Sequence, residues 1–554
     1  MKKLFQKVLA LAMIAMIVPS CGNPAKMAEK ADQLSATCTP EVLEVVAGKI
    51  NTHISVVFPA EFFHPKAIVE VQPVIVYNGG EAMGELVMLQ GEDVTENYIT
   101  VPEAGSTVTR NLTFDYAPGM ESSHLELRLT VLHKDDRIPF TAAVKVADGA
   151  NTTYMLVGQS GSLAYAPDAY QAVISEQNEA QILYNINSAS VRNSELKSED
   201  VKAFQAFLAE VQKDERRTVL GTDIISYASP DGKEDQNATL AEKRSKSAKK
   251  AYDRTINKKA KLDAPVNSET VAEDWAGFQE LVGNSDIADK ELILRVLEMY
   301  NDPMVREREI KYMSRVYTTL AKEVLPQLRR ARFIANIEFQ NFTDAELLEL
   351  VNTNIEQLDE EALLHTATLV KDLDAKVNIY TQAISKYNSD RAKVNKAVAL
   401  LYQNKNEEAA QALATVVNKD GYYYNTLGVI ALRAGNYAVA GQEFAKSSLK
   451  EARYNLGVLD ILNGNYAAAA QKLEGQGHHN EALAYILKGD LNKALSVATH
   501  KCAKMSYLKA IVYARQGNVE AAKAELENAC TNEALAARVF QQKRTGISLQ
   551  FPFP

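Results

Sequence analysis

The chain has 554 residues, too many for one hydrophobic core, so several domains are expected. Acidic residues outnumber basic ones, 70 to 61, and no basic stripe breaks that balance, so nothing points to a nucleic acid as partner. Four cysteines do not make a disulfide framework, and eight scattered histidines form no Ser/His/Asp set, no HExxH and no metal-ligand spacing, so neither an enzyme nor a cofactor is expected.

The N-terminus reads MKKLFQKVLALAMIAMIVPSCGN: two lysines, an apolar run from Val8 to Val18, then small residues. That run is too short to span a bilayer and fits a signal peptide. Val18-Pro19-Ser20-Cys21 resembles the lipobox of bacterial lipoproteins, with an aliphatic residue at −3, a small one at −1, and then the lipidated cysteine. The resemblance implies a signal peptide over 1–20, an acylated (palmitate-bearing) Cys21 and a polar tether over 21–38. Each buried CH₂ of such a lipid contributes about 0.8 kcal/mol of membrane attachment. No acidic run follows Cys21, which points to the periplasmic face of the outer membrane. A plain secretory signal is the alternative.

Residues 39–165 read as short strands. In HLELRLTVL, Leu125, Leu127, Leu129 and Val131 alternate with Glu126, Arg128 and Thr130, the period of a half-buried strand. Turn signals such as NGGE, PEAGS and HKDDR separate this segment from AIVEVQPVIVY, TVTRNLTFDY and IPFTAAVKV. An all-β sandwich of immunoglobulin-like kind is expected, serving as spacer or partner-binding module.

Residues 177–341 read as mixed α/β. EAQILYNINSASVR is a strand entering a loop. A helix follows, with Ser198 as N-cap and Val201, Phe204, Phe207, Leu208 and Val211 on its apolar side. RRTVLGTDIISYAS is the next strand, and SYASPDGKEDQNATLAEKRSK carries it through a tight loop into a helix from Asn237. Gly232 is followed by Asn237, Leu240 and Arg244 at +5, +8 and +12, and Arg329-Arg330 precede the final strand. This spacing resembles the OmpA-like domain, a periplasmic module that holds peptidoglycan. The resemblance implies that an Asp and an Arg clamp the diaminopimelate zwitterion, an arrangement suited to an anion and a guanidinium on opposite sides. Arg244 and Asn237 match the pattern, but the Asp position, three before Gly232, is Ser229. A neutral side chain there forgoes a charge-assisted bond of about 1.5–3 kcal/mol. Asp231, two residues on, is the candidate relocated anion. The insertion around Trp275 reads as helical and as a candidate lid or contact surface.

Residues 342–541 read as helices in repeats. Lys405, Gly435, Gly464, Gly489 and Gly517 mark turns 30, 29, 25 and 28 residues apart. Tyr424, Leu427, Gly428, Ala440 and Phe444 resemble the small and large positions of the tetratricopeptide repeat, which implies an all-α solenoid. Such arrays dock peptides or proteins or act as spacers, and Tyr424, Tyr454 and Tyr485 are candidate anchors. Cys502 and Cys530 come level in one hairpin and are weighed as a disulfide against two separate thiols. His478-His479 reads as an exposed helix start. TGISLQFPFP, within residues 542–554, is an extended tail, since its prolines cannot continue a helix.

The expected protein is therefore a non-enzymatic adaptor lipoprotein of the outer membrane, docking envelope proteins through its repeats. The alternative is a peptidoglycan-binding tether acting through the α/β domain.

Overall fold

The computed structural model describes residues 24–230, 234–260, 262–287 and 290–537. The signal segment, Cys21, Asp231 with Gly232, and the 542–554 tail lie outside the described residues. The chain divides into two compact units that do not follow sequence order. One joins 1–166 to 388–554, and the other is Pro167–Tyr387.

In the first unit, the N-terminal part is β-rich. Among the described residues its strands form one hydrogen-bonded array of eleven. Strand Ser123–His133 buries every second residue, including Leu125, Leu127, Leu129 and Val131, as its alternation predicts. It pairs antiparallel with Ile68–Tyr77 on one side and Val144–Asn151 on the other. Lys49–Phe58 pairs along its whole length with Ser106–Asp115. Ile54, Val56 and Phe58 from that pair share a small apolar interior with Val71, Leu89, Leu127 and Leu129. Both faces therefore contribute to one core.

Residues 388–537 of this unit are helices joined by short turns. Five antiparallel helix pairs are present among the described residues, beginning with Asp390–Tyr402 and Asn406–Leu413 and ending with Ala503–Arg515 and Val519–Ala529. Each long helix closes on a residue with positive φ: Asn404 (61°), Gly435 (76°), Gly464 (81°), Gly489 (90°) and Gly517 (75°). These are the turn positions read from the sequence, and glycine suits them because the left-handed conformation crowds a Cβ. The small-against-large packing also holds. A Cβ on Gly428 would lie 2.5 Å from the Phe444 ring, and one on Gly457 would lie 2.7 Å from Leu473.

The second unit centres on a four-stranded sheet in the order Val173–Leu183, Arg330–Gln340, Arg217–Tyr227, Val266–Val271. The first two neighbouring pairs are antiparallel and the last is parallel. Helix Glu199–Val211 starts where expected, with Ser198 Oγ accepting from the Val201 amide, and buries Val201, Phe204, Leu208 and Val211. Those residues share a core with Ile182, Ile224, Tyr252 and Phe333. The Trp275 insertion forms helices with a core of their own, including Phe278, Ile293 and Leu320. It is fastened to the sheet by a buried ion pair: Arg330 Nη2 lies 2.8 Å from Asp274 Oδ2, and Asp274 also caps helix Trp275–Gly283 through the Gly277 amide. The helices from Asp344 to Tyr387 belong to this unit rather than to the repeats that follow.

Candidate functional site

The loop after Arg217–Tyr227 and helix Glu234–Tyr252 frame a cleft of about 670 Å³, lined by Ser229, Asn237, Lys243, Arg244, Arg329 and Asp235 among others. Three of the four residues singled out there from the sequence, Ser229, Asn237 and Arg244, meet in this cleft; Asp231 lies outside the described residues. Asn237 Nδ2 donates to the Ser229 carbonyl at 3.2 Å, which ties the helix to the loop. Ser229 Oγ accepts from Arg329 Nε at 3.3 Å. Arg244 is 0% exposed. Its guanidinium donates to the carbonyls of Tyr227 (2.8 Å), Ser188 (3.0 Å) and Asn185 (3.3 Å), and it lies 5.0 Å from the Tyr184 ring centroid. Burial pushes the Tyr184 phenol up to about 12, so it stays neutral beside the cation. Lys243, Arg244 and Arg329 give the cleft a cationic lining with Asp235 at its edge, which suits a carboxylate.

A second polar site lies in the repeats. Asn395, Asn425, Asn455 and Asn480 sit inside the long helices and are at most 2% exposed. Each carboxamide meets the extended segment 158–166, and three of them bond both main-chain groups of one residue. Asn480 accepts from the Gly158 amide (2.8 Å) and donates to its carbonyl (2.9 Å). Asn455 does the same for Ser162 (2.7 and 2.9 Å), and Asn395 for Ala166 (2.7 and 2.9 Å). Asn425 adds a second donor to the Ser162 carbonyl at 3.1 Å, and its Oδ1 accepts from Asn455 Nδ2 at 3.0 Å. Arg433 Nε donates to the Ser160 carbonyl at 2.8 Å. The segment read at sequence level as the end of the strand region is thus a strap laid along the helices.

The sequence reading missed these asparagines, although a signal existed. Asn395, Asn425 and Asn455 recur at a step of thirty along the long helices. The tyrosines chosen instead have other surroundings. Tyr485 is buried at 5% exposure. The Tyr454 hydroxyl accepts from Asn480 Nδ2, so it supports the asparagine row. Tyr424 packs edge-on against Tyr423, with Lys446 Nζ 5.2 Å from its ring centroid.

Of the two alternatives weighed for Cys502 and Cys530 the structure has the separate thiols, and the histidine pair is exposed at one residue only. Cys502 and Cys530 are both free: Cys502 is exposed ahead of its helix and Cys530 half-buried beyond the next. Counting residues along a hairpin brings two Cα atoms level, but a bridge also needs the Cβ vectors to converge. Of the histidine pair, His478 is exposed as expected and His479 is half-buried. Its Nε2 is buried without a hydrogen-bond partner, 2.4 Å from where a Cβ on Gly158 would lie. Burial, then Lys504 and His478, lower its pKa to about 4.

No family model matches the chain, and no curated protein matches it. Among solved structures, it is similar to a tetratricopeptide repeat protein from Parabacteroides merdae, with 17% identity, a TM-score of 0.28, and coverage of 35% of this chain and 88% of that one. It is also similar to a chain of the APC/C hetero-tetramer Cut9-Hcn1, with 15% identity, a TM-score of 0.32, and coverage of 36% and 46%. At such scores the helix packing described above, not the likeness, carries the repeat reading.

Proposed function

We propose that this chain is a non-enzymatic scaffold that docks protein partners through its helical repeats at the outer membrane, held there by lipid on Cys21. In this reading the β-rich part is an immunoglobulin-like sandwich acting as spacer, and the α/β body is OmpA-like. One observation carries the docking reading: buried asparagines on successive repeats hold an extended main chain by its amides and carbonyls. Any peptide offers those same groups. The lipid anchor rests on the Val18–Cys21 motif, and among the described residues no helix is long and apolar enough to cross a membrane. The test is cross-linking of the whole chain in intact cells, followed by identification of neighbours. Envelope proteins linked through residues 388–537 are expected. Mature protein recovered free in solution with an unmodified Cys21 would sink the anchored scaffold.

A second reading is favoured by the cleft beside the buried Arg244: a tether to peptidoglycan, whose carboxylates suit Arg329 and Lys243. Cosedimentation with purified sacculi tests it. Ser229→Asp should raise binding by restoring the family's anion, and Arg329→Ala should lower it. Binding indifferent to both substitutions would exclude the cleft.

A further inference from the structure

We infer that the asparagine row is a peptide clamp whose resident occupant is the chain's own strap, and that the partner it takes in the strap's place is an extended segment rich in glycine, serine and alanine. This deepens the docking reading above and rests on it.

The chemistry of the contacts defines the partner. Within the strap the asparagines hydrogen-bond only main-chain groups, so they select for extended backbone and not for particular side chains. Selectivity comes from the space around them. A Cβ at position 158 would run into His479 Nε2 at 2.4 Å. At 161 it would meet both Val429 methyls at 2.7 Å, on a backbone with φ of +75°. A glycine is therefore required at 161, directly before the residue whose amide and carbonyl Asn455 takes, whereas at 158 a small residue needs only the end of the His479 ring to shift. The side chains the strap does use are few. Gln159 Oε1 accepts from the Tyr437 hydroxyl at 2.9 Å, and Tyr165 stacks on the half-exposed Tyr402.

Exchange follows from the same geometry. A departing strap would open the carboxamides to water, with their donors and acceptors still placed for another extended main chain. The strap is tethered beside its site at an effective concentration on the order of millimolar, so a free peptide at micromolar concentration is held off until the strap is weakened. The clamp is thus closed by default.

The test uses the full chain and a fluorescent peptide, VGQSGSLAYAP, copied from residues 157–167. Gly161→Val loosens the strap in the chain and leaves the peptide unaltered. Anisotropy should show the peptide binding this variant at least ten-fold more tightly than the unaltered chain, and adding Asn455→Ala should remove that gain. A folded Gly161→Val chain that ignores the peptide, or binds it regardless of Asn455, overturns the inference. Should Gly161→Val fail to fold, hydrogen exchange of the unaltered chain decides. Amides of Gly158, Ser162 and Ala166 should exchange by local opening, faster than those of strand Ser123–His133. Exchange of the strap only through global unfolding makes it permanent and overturns the inference. Either failure leaves docking on other faces of the repeats intact, because the cross-linking test reads that separately.

Discussion

In the repeats, four buried asparagines hold a length of main chain. In the α/β body, one buried arginine holds three carbonyls of its own surroundings. Both put a polar side chain on a helix and bury it, yet they behave differently as sites. A carboxamide has a donor and an acceptor, so it can match both groups of a peptide unit. A guanidinium only donates, and Arg244 spends donors on Tyr227, Ser188 and Asn185 to hold the loops around it. The first arrangement holds an extended segment by its backbone. The second first of all builds the wall of a cleft, where a carboxylate would have to engage Arg329 and Lys243 as well.

Arg244→Met removes donors from three carbonyls, one of them fully buried with it, and should lower stability by about 3–4 kcal/mol in urea unfolding. A loss under 1 kcal/mol would mean that the arginine is not the keystone of its cleft. Asn455→Ala leaves the Ser162 amide without its acceptor and removes one of two donors to the Ser162 carbonyl and one partner of Asn425, and about 2–3 kcal/mol is expected, read on the same curves. An effect near zero would show that water replaces the carboxamide and that the strap is held elsewhere.

Acid should act on the repeats through His479. Its folded-state pKa, about 4, lies below the ordinary histidine value, so the neutral ring favours the folded state. That contribution is complete above about pH 6.5 and is lost as pH falls towards 4, by about 2 kcal/mol once partial solvent access is discounted. His479→Gln should flatten the loss between those pH values; an unchanged pH profile would place the titrating group elsewhere. The smallest effects separate two kinds of glycine. Gly428→Ala forces a Cβ into the Phe444 ring and should cost about 2 kcal/mol. Gly435→Ala meets nothing within 4 Å and costs only its left-handed backbone, about 1 kcal/mol. Equal losses in thermal unfolding would mean that helix packing in the repeats is looser than the contacts imply.

Much of the fold was legible because short-range patterns encode it. The alternation of Leu125 to Val131, the Ser198 cap and the recurring Gly-Asn turns each report a local backbone preference, and each stands where the pattern put it. The cleft was legible in part: Asn237 and Arg244 are one face of one helix, so spacing sufficed to bring them together. Asp274 with Arg330 was not legible, because 56 residues and an inserted core separate the partners. Tyr485 failed as an exposed anchor because aromatic character alone does not say which side of a helix pair is inward.

The order of strands and helices, the turn positions and the small-against-large packing were settled by the chain's own residues, since period and φ preference act over a few neighbours. That residues 158–166 leave the strand region to lie along helices some 230 to 320 positions later was decided only by the tertiary structure. Main-chain hydrogen bonds carry no side-chain signature in the segment that makes them, and the asparagines that read it acquire their meaning only once the repeats have stacked.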